Sequence, residues 1–331
     1  MSNKPNRYIK SELKSKRLFF EEEHPIRWSY MKLLREFSTL KEFYPDIDPY
    51  AEAYKMRDNV WAIFSESLDG AGDPWIYVIN GPERAMVIDT GFGCGDLKGL
   101  VHKLVGEKEL IVVNTHNHVD HASGNAQFGR IYCHEDEEPT YQRERRGKKL
   151  YDENGKGLYA EFDVADLIEQ KEYEVIGVPS NYIFNLGENY EVEILPLRGH
   201  TRGMSGYLDK RNHILFCGDL TSVLGSRGSN EKDPKMTCEQ LRDDLKKVTE
   251  RLDEIEGVFP GHGMLDQTPT MLVYELNTLE QILKDPNNYD DHVFIQRPQG
   301  VMESYRKNIH QGTAVRYNMQ SVYKDEENHS I

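Results

Sequence analysis

The chain has 331 residues, of which 38% are hydrophobic and 29% are charged. This composition excludes a disordered chain, and the length suits one large α/β domain with extensions. The 56 acidic residues outnumber the 41 basic ones, and the formal charge of -15 argues against a nucleic-acid partner, because a negative surface repels phosphate groups.

Membrane insertion and secretion are not expected from the sequence. No window approaches the roughly 18 consecutive apolar residues that a membrane span needs. The basic N-terminus lacks the apolar core and the small-residue cleavage site of a signal peptide. The four cysteines are widely spaced, which is typical of free thiols in a reducing compartment, so we expect a cytoplasmic protein without membrane contact. They are Cys94, Cys133, Cys217 and Cys238.

Residues 1–50 are predicted to form an N-terminal helical extension. Apolar residues recur at helical spacing across residues 25–43, among them Trp28, Leu34 and Phe37. An exposed apolar face of that size would aggregate or find a partner. We therefore expect this helix to pack on its own chain or on a second copy, which makes a homo-oligomer an open alternative.

The next part of the chain is predicted to alternate strands with one helix. Short runs rich in β-branched and aromatic residues begin at about residue 55. Residues 134–172 are polar and are predicted to be helical. The other elements predicted here are strands at 59–65, 75–81, 85–91 and 109–114 and a helix at 96–105.

A second set of strands and helices follows and repeats the pattern. Two halves of strands followed by helices predict a layered α/β/β/α sandwich. The tail at 286–331 shows one strand-like run, at 313–323. The elements predicted before it are strands at 181–187, 190–197, 205–209, 213–220 and 257–260 and helices at 238–254 and 267–285.

The residues that carry chemistry begin directly after the predicted strand at 109–114. His116, His118, Asp120 and His121 stand within six residues of one another. They cannot share one face of a helix or strand, but a loop at the end of a strand can direct them to one point. Imidazole and carboxylate together suit zinc, iron or manganese.

Three further residues of the same kind each end a strand-like run beside a glycine. They are His200, Asp219 and His262. Glycine permits the sharp turn and close backbone approach that such a loop needs. The remaining histidines have no such context and are interpreted as structural or solvated: His24, His102, His134, His213, His292, His310 and His329.

Together these motifs resemble the metallo-β-lactamase superfamily. The series His-x-His-x-Asp-His, Gly-His-Thr, Gly-Asp and Gly-His carries the resemblance over about residues 55–265, and Asp89-Thr90-Gly91 matches an early motif of that family. The resemblance implies a four-layered αββα domain at 51–285. The N-terminal helical extension at 1–50 and a C-terminal tail at 286–331 would pack around it.

The resemblance also implies two divalent metal ions, with zinc as the expected ion and iron or manganese as alternatives. One ion would be held by three histidines, the other by Asp120 and two histidines, and Asp219 would bridge both. The implied ligands of the first ion are His116, His118 and His200, and those of the second are Asp120, His121 and His262. Asn114 and Thr201 are candidates for orienting these ligands.

An aspartate at position 219 resembles the binuclear hydrolases of the family, such as hydroxyacylglutathione hydrolases and lactonases. The implied function is a metal-dependent hydrolase that uses a metal-bridging hydroxide to cleave a small ester, thioester or lactone. Asp120 would orient the attacking water and is the expected catalytic residue. Ser222 stands where such lactonases commonly carry a tyrosine, which weakens the lactonase interpretation.

Two other functions stay open for a small-molecule substrate. An iron persulfide dioxygenase of the same fold would use the first histidines and the aspartate at position 219 with one metal ion. A β-lactam hydrolase is the other, although β-lactamases of this family commonly carry cysteine or serine at that position. A non-catalytic member would usually have lost a ligand, and all seven are present.

Overall fold

The computed structural model describes residues 11–17, 25–70, 72–143, 150–225, 232–297, 300–309 and 313–325. The helices within these ranges are α1 (Pro25–Phe37), α2 (Leu97–Val105), α3 (Val119–Ala122), α4 (Glu138–Arg143), α5 (Cys238–Thr249) and α6 (Thr270–Lys284). The strands up to residue 161 are β1 (Lys16–Arg17), β2 (Lys41–Glu42), β3 (Ala51–Arg57), β4 (Val60–Ser65), β5 (Trp75–Asn80), β6 (Arg84–Ile88), β7 (Glu109–Val113), β8 (Arg130–His134) and β9 (Ala160–Glu161). The later strands are β10 (Glu174–Val178), β11 (Ile183–Asn185), β12 (Glu191–Pro196), β13 (Ser205–Asp209), β14 (Ile214–Gly218), β15 (Ser222–Val223), β16 (Gly257–Pro260), β17 (Asp291–Arg297), β18 (Gly300–Ile309) and β19 (Thr313–Tyr317).

Two large sheets face each other across a shared core. The first sheet has the order β10-β8-β7-β6-β5-β4-β3-β2, and the second has the order β11-β12-β13-β14-β16. The first sheet is antiparallel from β2 to β6 and parallel from β6 through β7 and β8 to β10. Aromatic and branched side chains from the inner faces of both sheets fill the space between them.

Successive side chains along a strand point to opposite faces of the sheet, so that one set lies between the two sheets and the other lies under the outer helices. In β5, Tyr77 points into the core between the sheets, and Val78 points to the outer face, where it packs with residues of α2. The outer face of the second sheet is covered in the same way by α5 and α6. Strands covered on both faces read as continuous apolar runs. The predicted αββα sandwich is therefore confirmed.

The strand directions bring four loops to one edge of the sandwich. Strand β14 runs parallel to β16, and two antiparallel pairings give β12 the same direction as β14. Backbone hydrogen bonds join the two sheets at this edge, from Ser205 N to Thr115 O at 3.0 Å and from Trp75 N to Gly261 O at 2.8 Å. The loops after β7, β12, β14 and β16 therefore meet at one place.

Among its described side chains, helix α1 packs on the sandwich through some and exposes others. Met31 and Leu34 of α1 contact the core between the sheets, whereas Leu33 is 64% exposed and Phe37 is 67% exposed. Arg35 is buried and donates to Glu52 at 2.9 Å. The helix ends at Phe37, earlier than the predicted 43, because β2 follows and pairs with β3. The apolar periodicity continues into this strand, so the helical prediction extended too far.

The helical prediction for residues 134–172 was wrong, and the prediction for the tail was incomplete. The described part of residues 134–172 contains helix α4 and otherwise forms loops, turns, one 3₁₀ turn and the short strand β9, which pairs with β1. In the described part of the tail, β19 lies at the start of the predicted run at 313–323, but β17 and β18 were not predicted, and β15 joins them in a sheet of order β15-β19-β18-β17. Residues 134–172 and the tail are both rich in polar residues. Their strands therefore lack the long apolar runs by which the central strands of the two large sheets were predicted. None of the helices in the described ranges is long and apolar enough to cross a membrane.

Glu275 on α6 provides a test of the packing between that helix and the second sheet. The residue is 2% exposed, its Oε1 has no hydrogen-bond partner, and burial raises its pKa from 4.5 to about 8. The folded state then binds this proton more tightly than the unfolded chain does. We expect the free energy of unfolding to fall as the pH rises from 4.5 towards 8, by about 1.4 kcal/mol per pH unit at most.

The Glu275→Gln variant should lose this part of the pH dependence, which urea unfolding at pH 5.5, 6.5 and 7.5 would measure. Glu280→Gln, an exposed position on the same helix, is the matched control. An identical pH slope in the two variants would contradict the assignment.

Candidate metal centre

The seven predicted histidine and aspartate side chains converge where the four loops meet. His116 and His118 lie in the loop after β7, and Asp120 and His121 follow on the single turn of α3. The other three side chains come from the second sheet: His200 follows β12, Asp219 follows β14 and His262 follows β16. Their ligand-type atoms form three overlapping groups, within each of which all atoms lie within 4.8 Å of one another.

The first ligand group comprises His116, His118 and His200. Nδ1 of His118 lies 3.1 Å from Nε2 of His116 and 2.8 Å from Nε2 of His200. Two ligands bonded to one zinc ion at the tetrahedral angle stand about 3.4 Å apart, given bond lengths of about 2.1 Å. Both separations are somewhat shorter than this value, and one ligand-type nitrogen from each histidine lies within 4.8 Å of the others, so the three imidazoles are close enough to bind one ion.

The second ligand group comprises Asp120, His121 and His262. Nε2 of His262 lies 3.2 Å from Nε2 of His121 and 3.2 Å from Oδ2 of Asp120. Nε2 of His121 is 3.6 Å from the same carboxylate oxygen. This group is spaced for a second ion, and its mixture of imidazole and carboxylate suits zinc as well as iron or manganese.

Asp219 lies between the two groups. Its Oδ2 is 3.5 Å from Nε2 of His200 and 3.3 Å from Nε2 of His262, and its Oδ1 is 3.5 Å from Nε2 of His121. Oδ1 is buried without a hydrogen-bond partner. A Cβ on residue 261 would lie 2.4 Å from that oxygen, so glycine is needed there for the close approach. A buried carboxylate oxygen without a donor fits the role of a bridging metal ligand.

Hydrogen bonds orient four of the five imidazoles. In each, Nδ1 faces a protein oxygen, which holds a proton on Nδ1 and directs Nε2 at the centre, where its lone pair could bind a metal ion that displaces any proton from it. The acceptors are Thr115 Oγ1 for His116 at 3.0 Å, Asp89 Oδ2 for His121 at 2.8 Å, Ser222 O for His200 at 2.6 Å and Asp73 O for His262 at 2.8 Å.

Asp89 is the main anchor of the second group. Besides the His121 imidazole, its carboxylate accepts from Thr115 N at 2.7 Å and Thr115 Oγ1 at 2.8 Å. Its backbone φ of 65° is in the left-handed region, which costs a non-glycine residue about 1 kcal/mol or more. Asn114, as predicted, supports the same ligand, because its Nδ2 donates to His121 O at 3.1 Å. Thr201 is buried and its Oγ1 has no hydrogen-bond partner among the described residues, so the structure does not show the predicted orienting role for it.

The electrostatics of the centre favour a cation. Burial lowers the pKa of His116, and the neighbouring His121 and His118 lower it further, so this imidazole is neutral. Burial also acts to lower the pKa of His121, but the carboxylates of Asp120 and Asp219 outweigh it and raise the pKa to about 9. Without metal, protons therefore balance the carboxylates. A bound metal ion would take over that charge and release protons.

Some supporting residues could not be identified from the sequence. Tyr141 on α4 donates from its hydroxyl to His116 O at 2.7 Å, and Glu137 precedes that helix and contacts two ligand loops. Both lie in the polar segment after β8, where no motif marks them. Asp73 and Ser222 orient histidines through backbone oxygens, which any residue type could provide.

Comparison with known proteins identifies the family. A family model described as the metallo-beta-lactamase superfamily matches residues 69–262. This chain belongs to the metallo-beta-lactamase superfamily. It is similar to the acyl-coenzyme A thioesterase MBLAC2 of Bos taurus and of Homo sapiens, each 27% identical over an alignment of 226 residues, and the match covers 62% of this chain and 79% of the relative. The chain is accordingly a hydrolase of this superfamily.

Solved structures agree with the fold. A metallo-beta-lactamase from Pontibacter korlensis has a TM-score of 0.51 and 19% sequence identity, and the match covers 70% of this chain and 99% of that one. The DIM-1 metallo-beta-lactamase has a TM-score of 0.50 and 20% identity, over 71% of this chain and 99% of that one. At this identity the likeness concerns the sandwich and not the substrate.

Metal content tests the assignment of Asp219. We expect the purified protein to bind two divalent ions per chain. Asp219→Ala should lose at least one of them and keep its far-ultraviolet circular dichroism, because the substitution removes the carboxylate that faces both groups. Plasma mass spectrometry of the dialysed proteins measures this, with Asp253→Ala at an exposed position as the control. Two ions retained by Asp219→Ala would show that the residue does not bridge them.

Proposed function

We propose that the chain is a binuclear metal-dependent hydrolase that cleaves an acyl thioester, with acyl-coenzyme A as the substrate class. The position of Asp219 between two complete ligand groups carries the proposal. The relatives named acyl-coenzyme A thioesterases support the choice of a thioester, since the match covers 79% of their length.

The two groups described above would hold the ions, with zinc expected and iron or manganese as alternatives. When bound, the ions supply a water of lowered pKa and two Lewis acids for the carbonyl oxygen of the substrate. The chain's own contribution is to hold the ligands apart at fixed spacing and to keep four imidazoles in one tautomer. A mononuclear iron dioxygenase would bind one metal ion and would not require the second ligand group, whose three members converge here.

Asp120 is the proposed catalytic carboxylate. Burial acts to raise its pKa, but the neighbouring His121 and His262 outweigh burial, so the pKa lies well below the ordinary value and the carboxylate is ionised. An ionised carboxylate at this position can accept a proton from the attacking water and pass it to the leaving group. A thiolate needs little help in leaving, because the pKa of a thiol is about 8.5, far below that of an alcohol or amine. Of the candidate substrates, a thioester therefore depends least on protonation of its leaving group by the protein.

An apolar cluster borders the centre on one side. Val119, between His118 and Asp120, packs against buried Leu68, Phe92 and Leu150. Leu68, Phe92 and Leu150 are buried by this packing, whereas Val119 is half-buried. Val119 is therefore the member of the cluster through which an aliphatic acyl group would gain apolar contact.

A serine–histidine pair elsewhere does not offer a competing nucleophile. Nε2 of His134 lies 2.9 Å from Ser180 Oγ, which resembles the start of a catalytic triad. However, Asp136 N donates to Nδ1 of the same ring, so the proton of the neutral imidazole resides on Nε2. That nitrogen donates to the serine and cannot remove its proton.

Substrate turnover tests the reaction class. We expect the protein to hydrolyse acyl-coenzyme A thioesters faster than oxygen esters, lactones and β-lactams of similar size. With oxygen-18 water under anaerobic conditions, the label should enter the released carboxylate, which mass spectrometry detects. Faster turnover of a lactone or β-lactam, or a requirement for molecular oxygen, would overturn the proposal.

Asp120→Asn tests the proton-transfer role. The amide keeps an oxygen that can bind metal but cannot accept the proton, so kcat should fall by about 100-fold or more while KM changes little. Steady-state kinetics with metal analysis of each sample measures this, and Asp58→Asn, exposed in the turn between β3 and β4, serves as the control. Undiminished kcat in a sample that holds two ions would exclude the role.

A further inference from the structure

We propose that Glu137 is a positioning residue that ties together the two loops carrying the first ligand group. The proposal rests on the proposed function only in taking His116, His118 and His200 as ligands of one metal ion. Glu137 itself lies outside the ligand set, 1% exposed, between the end of β8 and the start of α4.

The residues of the first ligand group come from both sheets. The two loops that carry them must therefore be held in a fixed position relative to each other. His116 and His118 belong to the loop after β7 in the first sheet, and His200 belongs to the loop after β12 in the second. The 2.8 Å separation of His118 Nδ1 and His200 Nε2 depends on how these loops sit against each other. The ligands alone do not fix that distance until an ion is bound.

The Glu137 carboxylate makes one hydrogen bond to each loop. Oε1 accepts from Asn117 N at 3.1 Å, and Asn117 stands between His116 and His118. Oε2 accepts from Gly203 N at 2.7 Å, three residues after His200. Both donors are backbone groups, so the two oxygens set the relative position of the main chains rather than of flexible side chains.

The residue is itself held rigidly. Glu137 N donates to His134 O at 2.8 Å, and Thr140 N donates to Glu137 O at 2.9 Å, so the backbone of Glu137 is fixed by turns on both sides. The loop after β12 approaches closely enough that a Cβ on residue 203 would lie 2.4 Å from Glu137 N. A side chain at position 203 would therefore clash with the backbone of Glu137, and glycine is needed there for the contact between the two loops.

The second ligand group has different supports. His121 is anchored by Asp89 and His262 by the backbone oxygen of Asp73. Loss of the Glu137 contacts should therefore weaken the first site and largely spare the second. A residue that merely stabilised the fold would not discriminate between the two sites.

The experiment is cobalt(II) titration of the metal-free full-length protein, followed by visible absorption. His200→Ala and His262→Ala assign the spectral bands to the first and second sites. Glu137→Gln keeps the side-chain length but replaces one acceptor oxygen by an amide group that faces a backbone N–H. We expect the affinity of the first site to fall about tenfold or more, with less than about threefold change at the second.

Glu135→Gln, exposed two residues earlier on the same turn, is the matched control and should bind cobalt like the wild type. Gly203→Ala disturbs the same contact from the other loop and should produce the same selective loss, which keeps the test valid if Glu137→Gln folds poorly. Equal weakening at both sites, or no weakening in either variant, would overturn the proposal.

The outcomes separate this proposal from the proposed function. If the wild type binds two cobalt ions but cleaves no thioester, the function fails and the positioning role is still decided by the titration. If the wild type cleaves thioesters and Glu137→Gln binds both ions normally, the positioning role fails alone.

Discussion

The rest of the site depends on the burial of three carboxylates close together. Asp89, Asp120 and Asp219 are largely removed from water, and two of them face the same imidazoles. Uncompensated charges in such a place would be strongly unfavourable. Protonated imidazoles can balance them in the metal-free protein, and divalent cations balance them better. The orientation of His121 by Asp89 and the close approach of Gly261 to Asp219 both bring the balancing groups near these carboxylates.

The convergence of the histidine and aspartate side chains was easier to predict from the sequence than their surroundings were. His116, Asp219 and the other candidate ligands were identifiable because each follows a strand and stands in a short motif. The central strands were identifiable because both of their faces are covered, which makes them apolar throughout. The fold class followed from their order. For the candidate ligands and for the central strands alike, the same residues carry a recognisable sequence pattern and make the contacts that the folded structure needs.

In the parts of the structure that could not be predicted, tertiary contacts determine the conformation and no local sequence signal accompanies them. Strand β9 is two residues long and exists through its pairing with β1, some 140 residues earlier in the chain. Strand β17 has at most three consecutive apolar residues and β18 at most two, so neither carries the long apolar run of the central strands. Glu137 lies in a run of acidic residues, and nothing local distinguishes it from its exposed neighbour Glu135. Its contacts come from loops that meet only in the folded chain.

The origin of the ligands in two sheets has a consequence for the lifetime of the protein. An ion that binds His118 and His200 together joins the two halves of the sandwich as a cross-link would. Its binding free energy is then added to the folding free energy, and the apparent stability rises by about 1.4 kcal/mol for each tenfold increase of free metal above the dissociation constant. If the chain binds the ions proposed above, the rate at which a cell degrades it would follow the availability of the metal, and metal starvation would lower the amount of protein as well as its activity.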